Sequence, residues 1–441
     1  MHDRDTSTSC DVTVIGGGLA GKAASLHLAR AGLKVVCIEP RHAMRPPVGE
    51  SLDWSAPALF EQLGLSPDKL LASNIATWKK HVTLKIRDGC DAHYIPSTWL
   101  GGPPFHVNLA TLHVERTQLD DEILKMVVDQ GVMLVRDRVV DLETRGNKIC
   151  SVRTEGGTRF CSPWFIDASG MGTPLVARKL NLPAVQYGPT KVAMWTYFKV
   201  PQQVEGTTLY MDAQPTEYLE WIWEIPVSPD TVSVGYIAPS AAVKAKREEG
   251  VSVENIFRQQ LMKFSRFEPL VQQGANGPVK VTSFRCRVHL QCAGPNWLIA
   301  GEAAALVDPM TSNGVTAALR HASEAAALVL KFKTRGELPR HARKAYSSRI
   351  LQMAKFLNEG IEKMVYEPQV RNRISLATAG EAYTSPAWSM NVVYARLSPP
   401  GLIATFILWA MLGSFRISAA ICYWYCGMSK SSAAKQECGL E

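Results

Sequence analysis

"DVTVIGGGLAGKAASLHLARAGLKVVCIEP", residues 11–40, decides the fold. Val12–Ile15 is apolar and β-branched and predicts a buried strand, residues 19–29 carry the Ala- and Leu-rich spacing of a helix, and Val35–Ile38 predicts a second buried strand. Gly16, Gly18 and Gly21 then stand at GxGxxG positions. Gly16 permits the tight turn, Gly18 lets backbone approach a pyrophosphate, and Gly21 lets helix and strand pack closely. Glu39, closing the second strand, stands where an acid hydrogen-bonds a ribose hydroxyl. The competing reading is a glycine-rich turn in some other α/β unit. The surrounding strand, helix and acid favour a dinucleotide, without choosing between FAD and NAD.

Working outward, "NWLIAGEAAALVDPMTSNGVTAALRHASEAAALVL", residues 296–330, again reads as strand, loop and helix, with Gly314 opening the helix. Glu302 in its loop is placed to bond a ribityl hydroxyl, and the amides of Asn313 and Gly314 to hold an anion or the polar edge of a flavin. "WFIDASGMGTPLVARKLNL", residues 164–182, predicts a short strand ending in a turn at 167–170. "HVERTQLDDEILKMVVDQGVMLV", residues 113–135, predicts a helix that starts near Arg116, followed by a strand. As a lone charge, Arg116 is more commonly solvated than bound.

Composition sets the outer limits. The chain has 441 residues, 46% hydrophobic and 20% charged, which is enough to bury a large core and excludes general disorder. A net charge of +8 is spread along the chain with no basic run interleaved with aromatics, so dedicated nucleic-acid binding is not expected. The ten cysteines form no CxxC pair and no zinc-like spacing, which reads as reduced cytosolic thiols and no metal. The polar start "MHDRDTSTSC" carries no secretory signal, and the expected location is cytoplasmic.

Two tryptophans stand one residue apart in "EYLEWIWEIPVSP", residues 217–229. Alternation along a strand puts Trp221, Trp223 and Ile225 on one face, as an aromatic wall. Neighbouring runs "KVAMWTYFKV" and "TVSVGYI" also read as strands of an antiparallel sheet.

Taken together, the GxGxxG start, the Arg116–Asp120 helix opening, the "DASG" turn and the "GEAAALVDP" loop resemble the FAD-dependent monooxygenase superfamily with the para-hydroxybenzoate hydroxylase type of fold. Gly301-Glu302 stands where that pattern usually has Gly-Asp. Within the superfamily, "VGESL" (residues 48–52) and "WIWEIP" (221–226) are similar to the flavin-dependent halogenases, with Glu220 where a glycine commonly precedes the first tryptophan. Geranylgeranyl-reductase-like enzymes share a related element.

The resemblance implies an α/β fold: a Rossmann-type FAD-binding domain interleaved with an antiparallel-sheet substrate domain, plus a helical C-terminal region. The expected boundaries are 1–184 for the first part of the FAD domain, with a substrate-side insertion near 80–110, then 185–285 for the sheet domain and 286–340 for the second part of the FAD domain. A helical region at 341–400 and an apolar tail at 401–441 follow. By the same resemblance, Glu50, Ser51 and Arg116 join the cofactor side, and the backbone of Ser312, Asn313 and Gly314 holds a halide. The tryptophan wall separates flavin from substrate, and a lysine, Lys79 or Lys80, hands on the oxidant. Two exposed loop lysines are the ordinary alternative.

The implied reaction is halogenation of an electron-rich small-molecule or carrier-tethered substrate. The absence of a second GxGxxG fits an enzyme fed by a separate flavin reductase, the expected partner, although single-component relatives bind NADPH without such a motif. A prenyl-reducing or hydroxylating FAD enzyme is the alternative, and a flavoprotein that matures a partner protein is a third class. The apolar runs at 401–415 and 417–428, broken by Arg416, suggest peripheral membrane contact, or a helix packed on the protein.

Overall fold

In the computed structural model, residues 7–40, 49–87, 91–94, 111–172, 174–200, 205–213 and 217–368 are described, with scattered positions between 406 and 424. Val48, most of the 80–110 insertion, residues 369–400 and most of the tail lie outside the described residues. The chain forms two units. One comprises Met1–Thr77, Leu112–Gln186 and Cys286–Lys355, and the other Trp78–Thr111, Tyr187–Arg285 and Phe356–Glu441.

The first unit is built on a five-stranded parallel sheet in the order Trp297–Ile299, Trp164–Asp167, Val12–Ile15, Val35–Ile38, Met133–Val135. The first four strands are buried along their whole length, as continuous apolar runs in a parallel sheet must be when both faces are covered. The helix Leu19–Arg30 follows the glycine turn and packs against the helix Gly314–Phe332. A helix at Arg116–Asp129 also lies in this unit. Its N-cap is Glu115, whose carboxylate accepts the amides of Thr117 and Gln118. A four-stranded sheet in the order Ser7–Ser9, Arg159–Cys161, Lys148–Thr154, Val139–Arg145 completes the unit.

The second unit carries a larger, mainly antiparallel sheet. Its strands run in the order Ala184–Lys199, Thr231–Pro239, Glu220–Ser228, Thr207–Asp212, Val82–Ile86, Ala92–Tyr94, with one parallel pairing between Thr207–Asp212 and Val82–Ile86. One face, with Met194, Tyr210, Ile222, Val234 and Tyr236, packs with Ile256, Phe257 and Leu261 of the helix Val253–Leu261 into a single apolar core. Alternation turns Trp221 and Trp223 to the other face.

The helix Arg340–Ile361 ends in a π-helical turn, Glu362–Tyr366. No helix among the described residues is long and apolar enough to cross a membrane. Arg416, the charge that interrupts the apolar tail, donates to both carboxylate oxygens of Glu359 at 2.6 and 2.9 Å. A protein carboxylate therefore pairs with it.

Candidate active site

The glycine turn is packed to the limit of its backbone. Gly16 has φ of +97°, and a Cβ there would lie 2.5 Å from the carbonyl oxygen of Ala168; a Cβ at Gly21 would lie 1.8 Å from the Gly16 carbonyl oxygen. At Gly18 and Gly314, by contrast, an added Cβ would meet no atom of the described residues within 4 Å. Bare backbone facing outward at the start of two helices is the geometry a phosphate or other anion requires. Glu39 accepts the Gly17 amide through Oε2 at 2.8 Å, and a Cβ at Gly17 would press on the Glu39 Cβ. The middle glycine of the triplet, unconstrained in the fingerprint, is thus fixed by the acid that follows.

Arg116 is buried rather than solvated, which corrects the ordinary expectation for a lone charge. Its guanidinium donates to Asp120 Oδ2 at 3.0 and 3.2 Å and to the carbonyl of Gly49 at 3.2 Å. Asp120 also receives Lys22 Nζ at 2.8 Å, so one buried carboxylate joins two buried cations from different helices. Removing one member of such a set typically costs about 3–5 kcal/mol, because the remaining charges stay buried.

Around the second helix start, Ser312 adopts the left-handed conformation with φ of +55°, and Asn313 is the N-cap of the helix Gly314–Phe332. Asn313 Nδ2 donates to Asp53 Oδ2 at 2.7 Å, the Ser312 hydroxyl meets that of Ser51 at 3.2 Å, and Arg320 donates to the Ser55 hydroxyl at 2.9 Å. The segment after Gly49 is thereby tied to this helix start. Glu50 is buried in that segment, and its carbonyl accepts the Val114 amide.

Glu302 reaches the protein surface, yet protein atoms surround it closely enough that burial raises its carboxyl above the usual range, opposed by the positive charges of Arg116 and Arg287. The 167–170 turn is held by Asp167, whose carboxylate accepts Ser169 N, Ser169 Oγ and Val176 N at 3.1, 2.6 and 2.7 Å; burial raises its carboxyl despite these bonds. Gly301, with φ of +64°, donates its amide to Nδ1 of the buried His321, which stays neutral because burial and Arg320 hold it down to about 3.

Gly16, Gly18, Gly21, Glu39, Glu50, Ser51, Arg116, Glu302, Ser312, Asn313 and Gly314 all belong to the first unit. Together they fit a bound dinucleotide: two helix starts without side chains, an acid beside the glycine turn and a fixed arginine. Sequence reasoning missed Lys22, Asp53 and His321. The "DWS" at 53–55, an acid two residues before a serine, has the spacing of an Asx turn, and Asp53 Oδ1 accepts the Ser55 amide and hydroxyl at 2.9 and 2.6 Å. A lysine within an Ala-rich buried helix was the sign of Lys22's partner.

Trp221, Trp223, Lys79 and Lys80 belong to the second unit. The two indoles are buried, with ring centroids 6.1 Å apart and planes tilted by 54°. Trp221 donates its indole N–H to the Tyr366 hydroxyl at 2.8 Å and Trp223 to the Ser233 hydroxyl at 3.1 Å. Lys79 ends the strand Ala76–Lys79 and is 0% exposed. The Lys80 side chain is 54% exposed and pairs with Glu205 at 2.8 Å. Adjacent lysines on extended chain point to opposite sides, and only one of them points inward. Among the described residues, no group of His, Cys, Asp and Glu could hold a metal ion.

Comparison with known proteins adds family relationships. The tryptophan halogenase family model matches residues 103–362, and that of glucose inhibited division protein A matches 11–189. The chain is similar to a tryptophan 2-halogenase of Chondromyces crocatus, 28% identical over 339 residues, covering 73% of this chain and 61% of that protein. It is also similar to a menaquinone reductase of Mycolicibacterium smegmatis (strain ATCC 700084 / mc(2)155), 28% identical over 334 residues, covering 73% of this chain and 77% of that one. In fold it resembles the flavin-dependent brominase Bmp2, with a TM-score of 0.68 at 20% identity over 96% of this chain and 100% of the other.

Proposed function

The chain belongs to the tryptophan halogenase family, and from that premise we propose that it is an FAD-dependent oxidoreductase that halogenates an electron-rich organic substrate, free or carrier-tethered, using oxygen, a halide and reduced flavin. The observation that carries this reading is the second unit's wall of Trp221 and Trp223, with both indoles buried and hydrogen-bonded, in a chain that also holds the inward Lys79.

Bound in its reduced form, the flavin would supply the electrons that activate oxygen. The turn at Gly16, Gly18 and Gly21 with Glu39 would hold its adenosine and pyrophosphate side, and Arg116, Glu302, Glu50 and Ser51 would hold the rest. The backbone at Ser312, Asn313 and Gly314, at a helix start where partial positive charge collects, holds the halide. A dry aromatic wall keeps a hypohalous oxidant from side reactions with water. Lys79 orients that oxidant through a hydrogen bond, or its neutral amine takes the halogen as the O–X bond breaks, losing a proton so that water leaves. A separate flavin reductase supplies reduced flavin, and the exposed Phe406, Trp409, Ile417, Ile421 and Trp424 give the tail a peripheral hold on a membrane surface.

The test uses FAD-loaded protein with a generic flavin reductase, NADH, oxygen, bromide and a phenol or indole probe, with catalase present and mass spectrometry of the product. A bromine isotope doublet that depends on the protein is expected, lost by at least about 100-fold in Lys79→Ala and retained in Lys80→Ala. Unchanged bromination in Lys79→Ala would remove that lysine from the mechanism. A second reading, reduction of a prenyl chain or quinone, is favoured by the likeness to the menaquinone reductase. Halide-independent saturation of a prenyl lipid would establish it.

A further inference from the structure

The π-helical turn Glu362–Tyr366 lies within the second unit beside the tryptophan strand, and its side chains belong to a linked set. Tyr366 is fully buried and accepts the Trp221 indole N–H at 2.8 Å. Its ring stacks on Tyr218, with centroids 4.7 Å apart and planes within 15°, and the Lys191 ammonium sits 3.9 Å from its centroid. Glu362 accepts the Tyr218 hydroxyl at 2.7 and 2.8 Å and pairs with Lys191 at 3.4 Å. Gly188, with φ of +58°, leaves room for that carboxylate: a Cβ there would stand 2.2 Å from Glu362 Oε2. One turn earlier, Glu359 is held by Lys363 at 3.1 Å and by Arg416.

A π-turn is a costly departure from α-helix that recurs at functional positions. Here it is pinned by a buried cation, a stacked ring and two carboxylates, and what it delivers is one hydroxyl to one indole. We infer that Tyr366 is a positioning residue that fixes the orientation of Trp221, with Lys191, Tyr218 and Glu362 holding Tyr366 in turn.

What the bond restricts is rotation. An indole on a strand can turn about two side-chain bonds, and its partner Trp223 is already fixed on the same face by Ser233. The bond to Tyr366 removes the freedom that remains and leaves the two rings in a single tilted arrangement. The halogenase reading is needed only for the consequence in turnover: a wall with one loose ring accepts substrate in more poses and contains the oxidant less well.

Two measurements separate the inference from that reading. In protein labelled with 15N at tryptophan, the Trp221 indole signal is identified by its loss in Trp221→Phe. In Tyr366→Phe, which keeps the ring and its stacking, that signal is expected to shift and its proton to exchange faster with water. If the signal does not move, Tyr366 does not position Trp221, whatever reaction the protein performs.

In the bromination assay, Tyr366→Phe is expected to lower kcat/KM about three- to tenfold, mainly through KM, with less product per flavin reoxidised. In the Trp221→Phe background the same substitution should change nothing further, because Tyr366 acts through that indole. A moved signal with unchanged kinetics, or an equal loss in both backgrounds, overturns the functional role. A wild-type protein that never brominates sinks the proposed reaction, while the indole signal still decides the positioning.

Discussion

At the scale of single residues, backbone contact decides more than side-chain chemistry. Gly16 holds a φ that other residues adopt only with strain, and its would-be Cβ runs into a carbonyl oxygen of the 167–170 turn. The variant Gly16→Ala is expected to purify with little or no flavin, measured as flavin released per protein on denaturation; full occupancy would show that the turn can move aside. The same reasoning explains Gly17, which no motif requires but which Glu39 does. The lysine pair shows the limit of reading residues singly. Lys79 and Lys80 are chemically the same in the sequence, and only the strand Ala76–Lys79 turns one inward and the other to Glu205.

Among the elements, the tryptophan strand is the best specified by its own sequence. Alternation alone puts Trp221, Trp223 and Ile225 on one face, and the register does the rest by setting Trp223 against Gly235. A Cβ at Gly235 would lie 2.0 Å from the Trp223 ring, so the glycine is the slot in which the indole lies. The variant Gly235→Ala is expected to destabilise the protein by about 1–3 kcal/mol through overpacking, seen as a lower thermal midpoint. Adding Trp223→Leu should recover part of that loss. If Gly235→Ala alone leaves the midpoint unchanged, the ring is not seated there. The helix Arg116–Asp129 is another element legible in advance, although its cap proved to be the Glu115 side chain. The π-turn had no such signal, because what sustains it is a set of partners far away in sequence.

Over the whole molecule, one contribution to acid stability comes from a group that the sequence did not mark. His321 is held neutral down to about 3, against an ordinary value of 6.5, by burial and by Arg320. The unfolded chain therefore binds a proton below 6.5 that the folded one refuses. Its contribution is fully present above 6.5 and is lost progressively as the pH falls toward 3, by up to about 1.4 kcal/mol per pH unit. Urea midpoints of the wild type should fall between pH 6.5 and 4.5. His321→Asn, which can still accept the Gly301 amide, should flatten that slope, and equal slopes would remove His321 from the acid response. At the same scale, the tail's exposed Phe406, Trp409, Ile417, Ile421 and Trp424 predict co-sedimentation with anionic vesicles, reduced by Trp409→Ser/Trp424→Ser. Equal pelleting with and without vesicles would discard the membrane contact.

The sequence by itself determined the parallel sheet, the glycine turn and the tryptophan face, because each depends on neighbours within a few residues: the period of a strand, the spacing of a helix, the conformational freedom of glycine. Tertiary structure decided the rest. That Arg116 and Lys22 share Asp120, that Asp53 holds Asn313, that Lys79 points inward and that Tyr366 holds Trp221 all depend on which distant segments meet. Burial turns such a meeting into energy, since a charge or an indole N–H removed from water must find its partner in the protein.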